Sequence, residues 1–178
     1  TGGPVSMLNN NVLDKSDFMT SAFPAQYGNA SSGVFDLRMR NGNDEQHEFL
    51  GQIGFNGFEL GAEGPFAKNS NSSYLINYRY STLGVFQQLG IDFGTGSATP
   101  DYQDLSLKLN FKVGNGNLSV FGLGGISDVS FLGNETDTTA LDFYGSRYSN
   151  TIVKYKTGIA GISYETNISP RSVSKVTL

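Results

Sequence analysis

The residues able to do chemistry are few, and their spacing argues against catalysis. His47 is the single histidine, set in Asp44-Glu45-Gln46-His47-Glu48. An imidazole flanked by carboxylates can ligate zinc, but one histidine in a polar stretch reads more simply as a solvated side chain. Asn134-Glu135-Thr136-Asp137 offers oxygen donors to a hard cation such as calcium, and again a solvated loop is the simpler reading. There is no Gly-x-Ser-x-Gly, P-loop or paired-histidine helix motif. With no cysteine, disulfides, thiolate metal sites and cysteine nucleophiles are excluded. No catalytic residue, cofactor or metal site is assigned, and the expectation is a protein that is not an enzyme. The formal net charge of −4 gives no electrostatic case for nucleic acid as a partner.

The elements that carry these residues read as β throughout. In Val34-Phe35-Asp36-Leu37-Arg38-Met39-Arg40, Phe35, Leu37 and Met39 alternate with Asp36, Arg38 and Arg40, which predicts a strand with one buried and one polar face. Before it, residues 23–33 form a turn segment of small residues; after it, 41–46 has the composition of a linker. From His47 onward, Phe49, Gly51, Ile53 and Phe55 share one face, and Asn56-Gly57 is a strong hairpin signal. Phe58, Leu60 and Ala62 then alternate with Glu59, Gly61 and Glu63. Tyr74, Ile76, Tyr78 and Tyr80 lie opposite Asn77, Arg79 and Ser81. The cleanest alternation sets Leu105, Leu107, Leu109, Phe111 and Val113 against Asp104, Ser106, Lys108, Asn110 and Lys112. Further strands are predicted over about 117–128 and 150–165, their faces blurred by glycine, and from about 172.

The chain has 178 residues, of which 23 are Gly; 16% are charged and 12% aromatic. It is too apolar to be disordered and too rich in Gly for a helical bundle. No apolar run reaches the ~18–20 residues of a transmembrane helix, which leaves a transmembrane barrel open. Beyond the first hairpin, long links (83–103, 129–149) alternate with short ones (114–116, 167–171), as the extracellular loops and periplasmic turns of outer-membrane barrels do. A soluble β-sandwich gives the same alternation with its apolar face inward, and the absence of Trp departs from a usual aromatic girdle. The opening Thr1-Gly2-Gly3-Pro4 and the ending Val176-Thr177-Leu178 are expected to be the cut ends of a longer protein.

The order Phe23-Pro24-Ala25-Gln26-Tyr27-Gly28-Asn29-Ala30-Ser31-Ser32-Gly33-Val34-Phe35-Asp36-Leu37, followed by linker and strands, resembles the end of the plug domain of TonB-dependent outer-membrane receptors. There Tyr-Gly, a few small residues and Gly precede a hydrophobic strand entering the barrel. Tyr27-Gly28 and Gly33-Val34 match. Gly2-Gly3-Pro4-Val5 and residues 51–66 look like a Bacteroidetes-type branch, whose members often carry an N-terminal carboxypeptidase-regulatory-like domain.

The resemblance implies an all-β chain: the end of an α+β plug domain (1–40), a linker (41–46) and the first seven or so strands (47–178) of an antiparallel transmembrane β-barrel of about 22 strands. It implies the outer membrane of a Gram-negative bacterium, with outer-membrane lipid, an imported nutrient and TonB as partners, TonB acting through a segment outside these residues. The function implied is active import of a scarce siderophore, cobalamin, glycan or peptide. The plug end departs from the Tyr-Gly-Ser-Arg-like pattern of the starch-utilisation type, so a surface lipoprotein partner is not carried over. Tyr27, Gly28, Gly33, Asp36, Arg38 and Arg40 are the expected structural residues of the plug end. The two glycines would serve backbone geometry, and the three charges would pair to seat the strand against the barrel wall. Asn77, Arg79, Ser81, Asp104, Ser106 and Lys108 would face plug and water; Tyr74, Ile76, Leu105, Leu107 and Leu109 would face lipid. The loops at 93–100 and 128–149, with Thr95, Asp101, Tyr102, Phe143 and Tyr144, are the expected substrate surface, without an assigned binding residue. Two other readings stand beside this one: a complete small outer-membrane barrel with a structural or adhesive role, and a soluble lipocalin-like binding module.

Overall fold

A computed structural model describes residues 8–54, 57–68, 70–81, 98–131 and 151–178. The described residues are all-β, in two antiparallel sheets. Strands β1 (Asp17–Met19) and β2 (Val34–Asp36) form a small pair. Seven strands in simple up-and-down order make the second sheet: β3 (Glu48–Gly54), β4 (Gly57–Pro65), β5 (Ser73–Ser81), β6 (Ala98–Val113), β7 (Gly116–Phe131), β8 (Thr151–Ser169) and β9 (Ser172–Thr177). Each strand pairs with the next in sequence, so every contact is a hairpin contact. Neither β3 nor β9 has a second partner among the described residues.

Every strand expected from His47 onward is present, with longer limits in the middle of the sheet. β6 and β7 run 16 residues each and β8 runs 19, against the nine to eleven that suit one bilayer crossing. Residues 98–103 and 129–131 therefore belong to strands, where long links were expected, because β6 and β7 stay paired from Val113↔Gly116 to Ala98↔Phe131. The first hairpin closes one residue earlier than Asn56-Gly57 suggests. Gly54 pairs with Gly57, enclosing residues 55–56, and Gly57 opens β4 with φ +143°. A side chain there would overlap the Tyr80 carbonyl of β5, so close approach of two strands requires the glycine.

Cross-strand register resolves the faces that glycine blurs in the sequence. Tyr78, Leu105, Gly124 and Gly158 form one row across β5–β8; Ile76, Leu107, Gly122 and Ala160 form the next; Tyr74, Leu109, Val120 and Ile162 the one after. This apolar face is the open one: Phe49 is 80% exposed and Ile53 90%, and Leu60, Ile76 and Leu105 are exposed too. Over β4–β6 the opposite face is polar and covered, with Asn77 at 3% and Asp104 at 5% exposure beside buried Ser73, Ser81 and Ser106. Val12, Leu75 and Val129 make up the buried hydrophobic set among the described residues. Polarity is thus reversed relative to a water-soluble sheet.

The N-terminal segment departs from expectation. The strand predicted over 34–40 stops at Asp36, and Met39 makes only an isolated bridge with Leu13. Phe35, expected on a buried face, is 68% exposed, and Leu37 is exposed as well. The cause is the shortness of β1, which offers β2 three partners and one apolar cover, Phe18, stacked on Phe35 at 4.3 Å between ring centroids. The α component expected of a plug is not found among the described residues; a 3-10 turn at Ala25–Tyr27 is the helical element there.

Candidate functional site

The site that the fold builds is the polar seam between the N-terminal segment and the inner face of β4–β6. Alternation places Glu59, Gly61 and Glu63 on that face of β4, and Asn77 beside Gly61 on β5. Each carboxylate collects donors from the segment. Glu59 Oε1 accepts from Asn9 Nδ2 at 2.8 Å, Asn11 Nδ2 at 2.6 Å and Asn77 Nδ2 at 2.8 Å. Asn11 is held in place by its own N–H, which donates to Asn9 Oδ1 at 2.9 Å. This is the local turn chemistry for which asparagine is suited.

Glu63 receives both Arg40 guanidinium nitrogens, Nη1 on Oε2 and Nη2 on Oε1, each at 2.6 Å, and the Asn43 N–H at 2.8 Å. Arg40 Nε donates back to the Asn11 carbonyl at 2.7 Å, so one guanidinium joins the two anchors. A bidentate arginine–carboxylate pair fixes geometry as well as charge. Two further contacts complete the seam. Lys108 Nζ donates to the Met39 carbonyl, and Arg79 forms a bidentate pair with its cross-strand neighbour Asp104, at 2.9 Å and 2.8 Å. Space is supplied by glycine: a side chain at Gly42 would overlap the Tyr74 carbonyl of β5, so the segment lies backbone-on-backbone against the sheet.

The expected plug-end residues separate into two groups. Arg40 does pair across to the sheet. Asp36 and Arg38 instead pair with each other, Nη2 to Oδ2 at 2.6 Å, with Asp17 3.8 Å from Arg38, on an exposed surface of the segment itself. Neither makes a hydrogen bond or ion pair to the seven-stranded sheet among the described residues, and the strand itself ends at Asp36. The Arg38 hydrogen bond holds the Asp36 carboxyl below its ordinary range, with a smaller contribution from Tyr27. Tyr27 closes the 3-10 turn, accepting from Ala30 N–H at 3.0 Å. Gly28 has φ −57° and ψ −16°, a conformation open to any residue, so backbone geometry does not require a glycine there. Gly33 answers to packing, since a side chain would come within 3.3 Å of the Phe18 ring.

His47 joins no cluster of three or more metal-ligating side chains among the described residues. Its Nδ1 lies 3.2 Å from the Tyr74 hydroxyl, while Glu48 accepts from Asn43 and Gln46. Asn134–Asp137 and the proposed contacts Thr95, Phe143 and Tyr144 lie outside the described residues; Asp101 and Tyr102 are strand residues of β6. Asn9, Asn11, Glu59 and Glu63 carry the seam, yet the sequence presents them as turn formers and a polar strand face. The one signal that points to them is the Glu-x-Gly-x-Glu spacing, two carboxylates on one strand face with room between them.

The open face has its own order. At one end of the apolar band Phe58 stacks with Tyr80 at 5.6 Å and lies 6.2 Å from Tyr78; at the other, Phe66 stacks on Phe111 at 5.0 Å and sits 5.6 Å from Tyr74. The band ends beyond the first cluster at the outward Asp128 and Lys154, paired at 3.3 Å. No family model, curated protein or solved structure matches the chain.

Proposed function

We propose that this chain forms part of the wall and inner lining of an outer-membrane β-barrel, and within that class that it belongs to a plugged, TonB-dependent importer. One observation carries the reading: over β4–β6 the sheet buries a polar face under the N-terminal segment, while its apolar face is open. Lipid contact on that face would satisfy it, whereas water would not. Two aromatic clusters bracket the band, at the positions where interfacial girdles sit, and they answer the lack of Trp with Tyr and Phe. From the Phe111 row to the Gln103 row is eight residues, about 27 Å along the strand, or roughly 20 Å of height at the usual barrel tilt of 35–45°. The outward apolar rows disfavour a soluble sandwich.

In this reading the polar seam docks the plug end on the barrel wall. Import would need a plug that is held firmly yet releasable, and a seam of hydrogen bonds and ion pairs suits that better than an apolar core. Such contacts can be exchanged for water contacts at small net cost when the segment is pulled. The nutrient itself would be bound by loops and plug apices, and the chemistry of this chain would be positional. The test is fractionation of the native polypeptide. Recovery in the detergent-extracted outer membrane, with nutrient uptake that stops when the proton-motive force is collapsed, is the expected result. Recovery only in the soluble fraction would overturn the reading.

A further inference from the structure

We propose that a trough on the open face of the sheet binds a phosphate-bearing lipid of the outer leaflet, its acyl chain over Gly124 and Gly158 and its phosphate on Lys156. The proposal rests on the membrane reading above. Gly124 and Gly158 face each other across β7 and β8, and the adjacent row continues with Gly122 and Ala160. Gly124 and Gly158 floor an open hollow of about 510 Å³ walled by Tyr78, Leu105, Ile126 and Lys156, and the row of Gly122 and Ala160 lies next to it. Glycine inside strands weakens them and packs nothing, so four small residues gathered on an otherwise bulky face call for something that fills the space.

Height and charge identify the occupant. Lys156 lies in the row Phe58, Tyr80, Gln103, Ile126, Lys156, level with the aromatic cluster and one row above the hollow. Aromatic clusters of this kind lie at headgroup depth. Lys156 is exposed and has no acidic partner among the described residues, unlike Lys154, which pairs with Asp128. A cation at headgroup level over an apolar hollow complements a lipid that carries both an anionic phosphate and a chain. Gln103 is already engaged through its carbonyl by the Tyr78 hydroxyl at 3.0 Å, which ties down the wall of the hollow.

The full-length protein would be placed in nanodiscs of phosphatidylcholine doped with phosphatidic acid, and the lipid retained on release read by native mass spectrometry. Wild type is expected to retain phosphatidic acid about fivefold over phosphatidylcholine, the preference that one lysine near a headgroup supplies. Lys156→Gln, which keeps the strand intact, should bring the ratio to parity; Gly158→Leu should lose retained lipid of both kinds. Equal retention by wild type, an unchanged ratio in Lys156→Gln, or a second copy of the chain covering the face in place of lipid would each overturn the proposal. Failure to enter nanodiscs at all is a separate result, and would remove the membrane reading and this proposal with it.

Discussion

Replacing Ile76 by lysine tests the reversed polarity of the sheet most directly. Ile76 is on the open face midway between the two aromatic clusters, with Ala62 on one side and Leu107 on the other, and it is exposed. Its row continues into Gly122 and Ala160, so a longer side chain meets no crowding and the result reports solvent, not fit. At mid-depth in a bilayer a lysine on the lipid face costs about 2–4 kcal/mol. That is a fall of roughly thirty- to nearly a thousandfold in the folding constant. Val113 faces the same way at the end of the band, where the same change should cost only about 0–1 kcal/mol. The assay is urea titration of the full-length protein folded into phospholipid vesicles, comparing Ile76→Lys with Val113→Lys. A difference of about 1–4 kcal/mol between the two sites is expected. If both changes fall within about 0.5 kcal/mol of wild type, as exposed substitutions in water do, the open face meets water and the reasoning fails.

Three further outcomes follow from the seam and the segment. In a double-mutant cycle, Arg40→Ala and Glu63→Gln should show a coupling of about 1–3 kcal/mol. That is less than a fully buried pair gives, since the Arg40 side chain is 35% exposed; hydrogen exchange over 8–43 reads the loosening. Gly42→Ala should displace the segment from β5, costing about 1–3 kcal/mol through overlap with the Tyr74 carbonyl, and should speed proteolysis between 14 and 37. Asp36, its carboxyl lowered by Arg38, contributes stability that is present above its unfolded pKa and lost as pH falls through the lower folded value. An NMR titration should place its midpoint below the ordinary ~3.9, and Arg38→Ala should restore it.

The alternation of the strands was readable because side-chain direction in a strand repeats every two residues whatever surrounds it. Leu105 to Val113 declared their face in the sequence, and the register across β5–β8 places them together. The period carried less far where glycine removed the signal, in β7 and β8, and where partners were few, in 34–40. There the pattern of Phe35, Leu37 and Met39 promised a buried face that a three-residue partner strand does not supply. Asp36 and Arg38 were visible as charges, but their pairing with each other followed from the end of the strand after Asp36.

The seam was the least legible part. Asn9 is 68 residues from Asn77 and 50 from Glu59, and nothing local in any of these stretches names the others. By itself the sequence determined that this chain is β and, where the alternation is clean, which residues share a face, because periodicity and composition are local properties. Only the tertiary structure decided which face is covered, since alternation is symmetric between a sheet with an apolar core and one with a polar core. Covering depends on a segment remote in sequence, and the carboxylates of β4, spaced to receive Asn9, Asn11 and Arg40, bring it to the polar side.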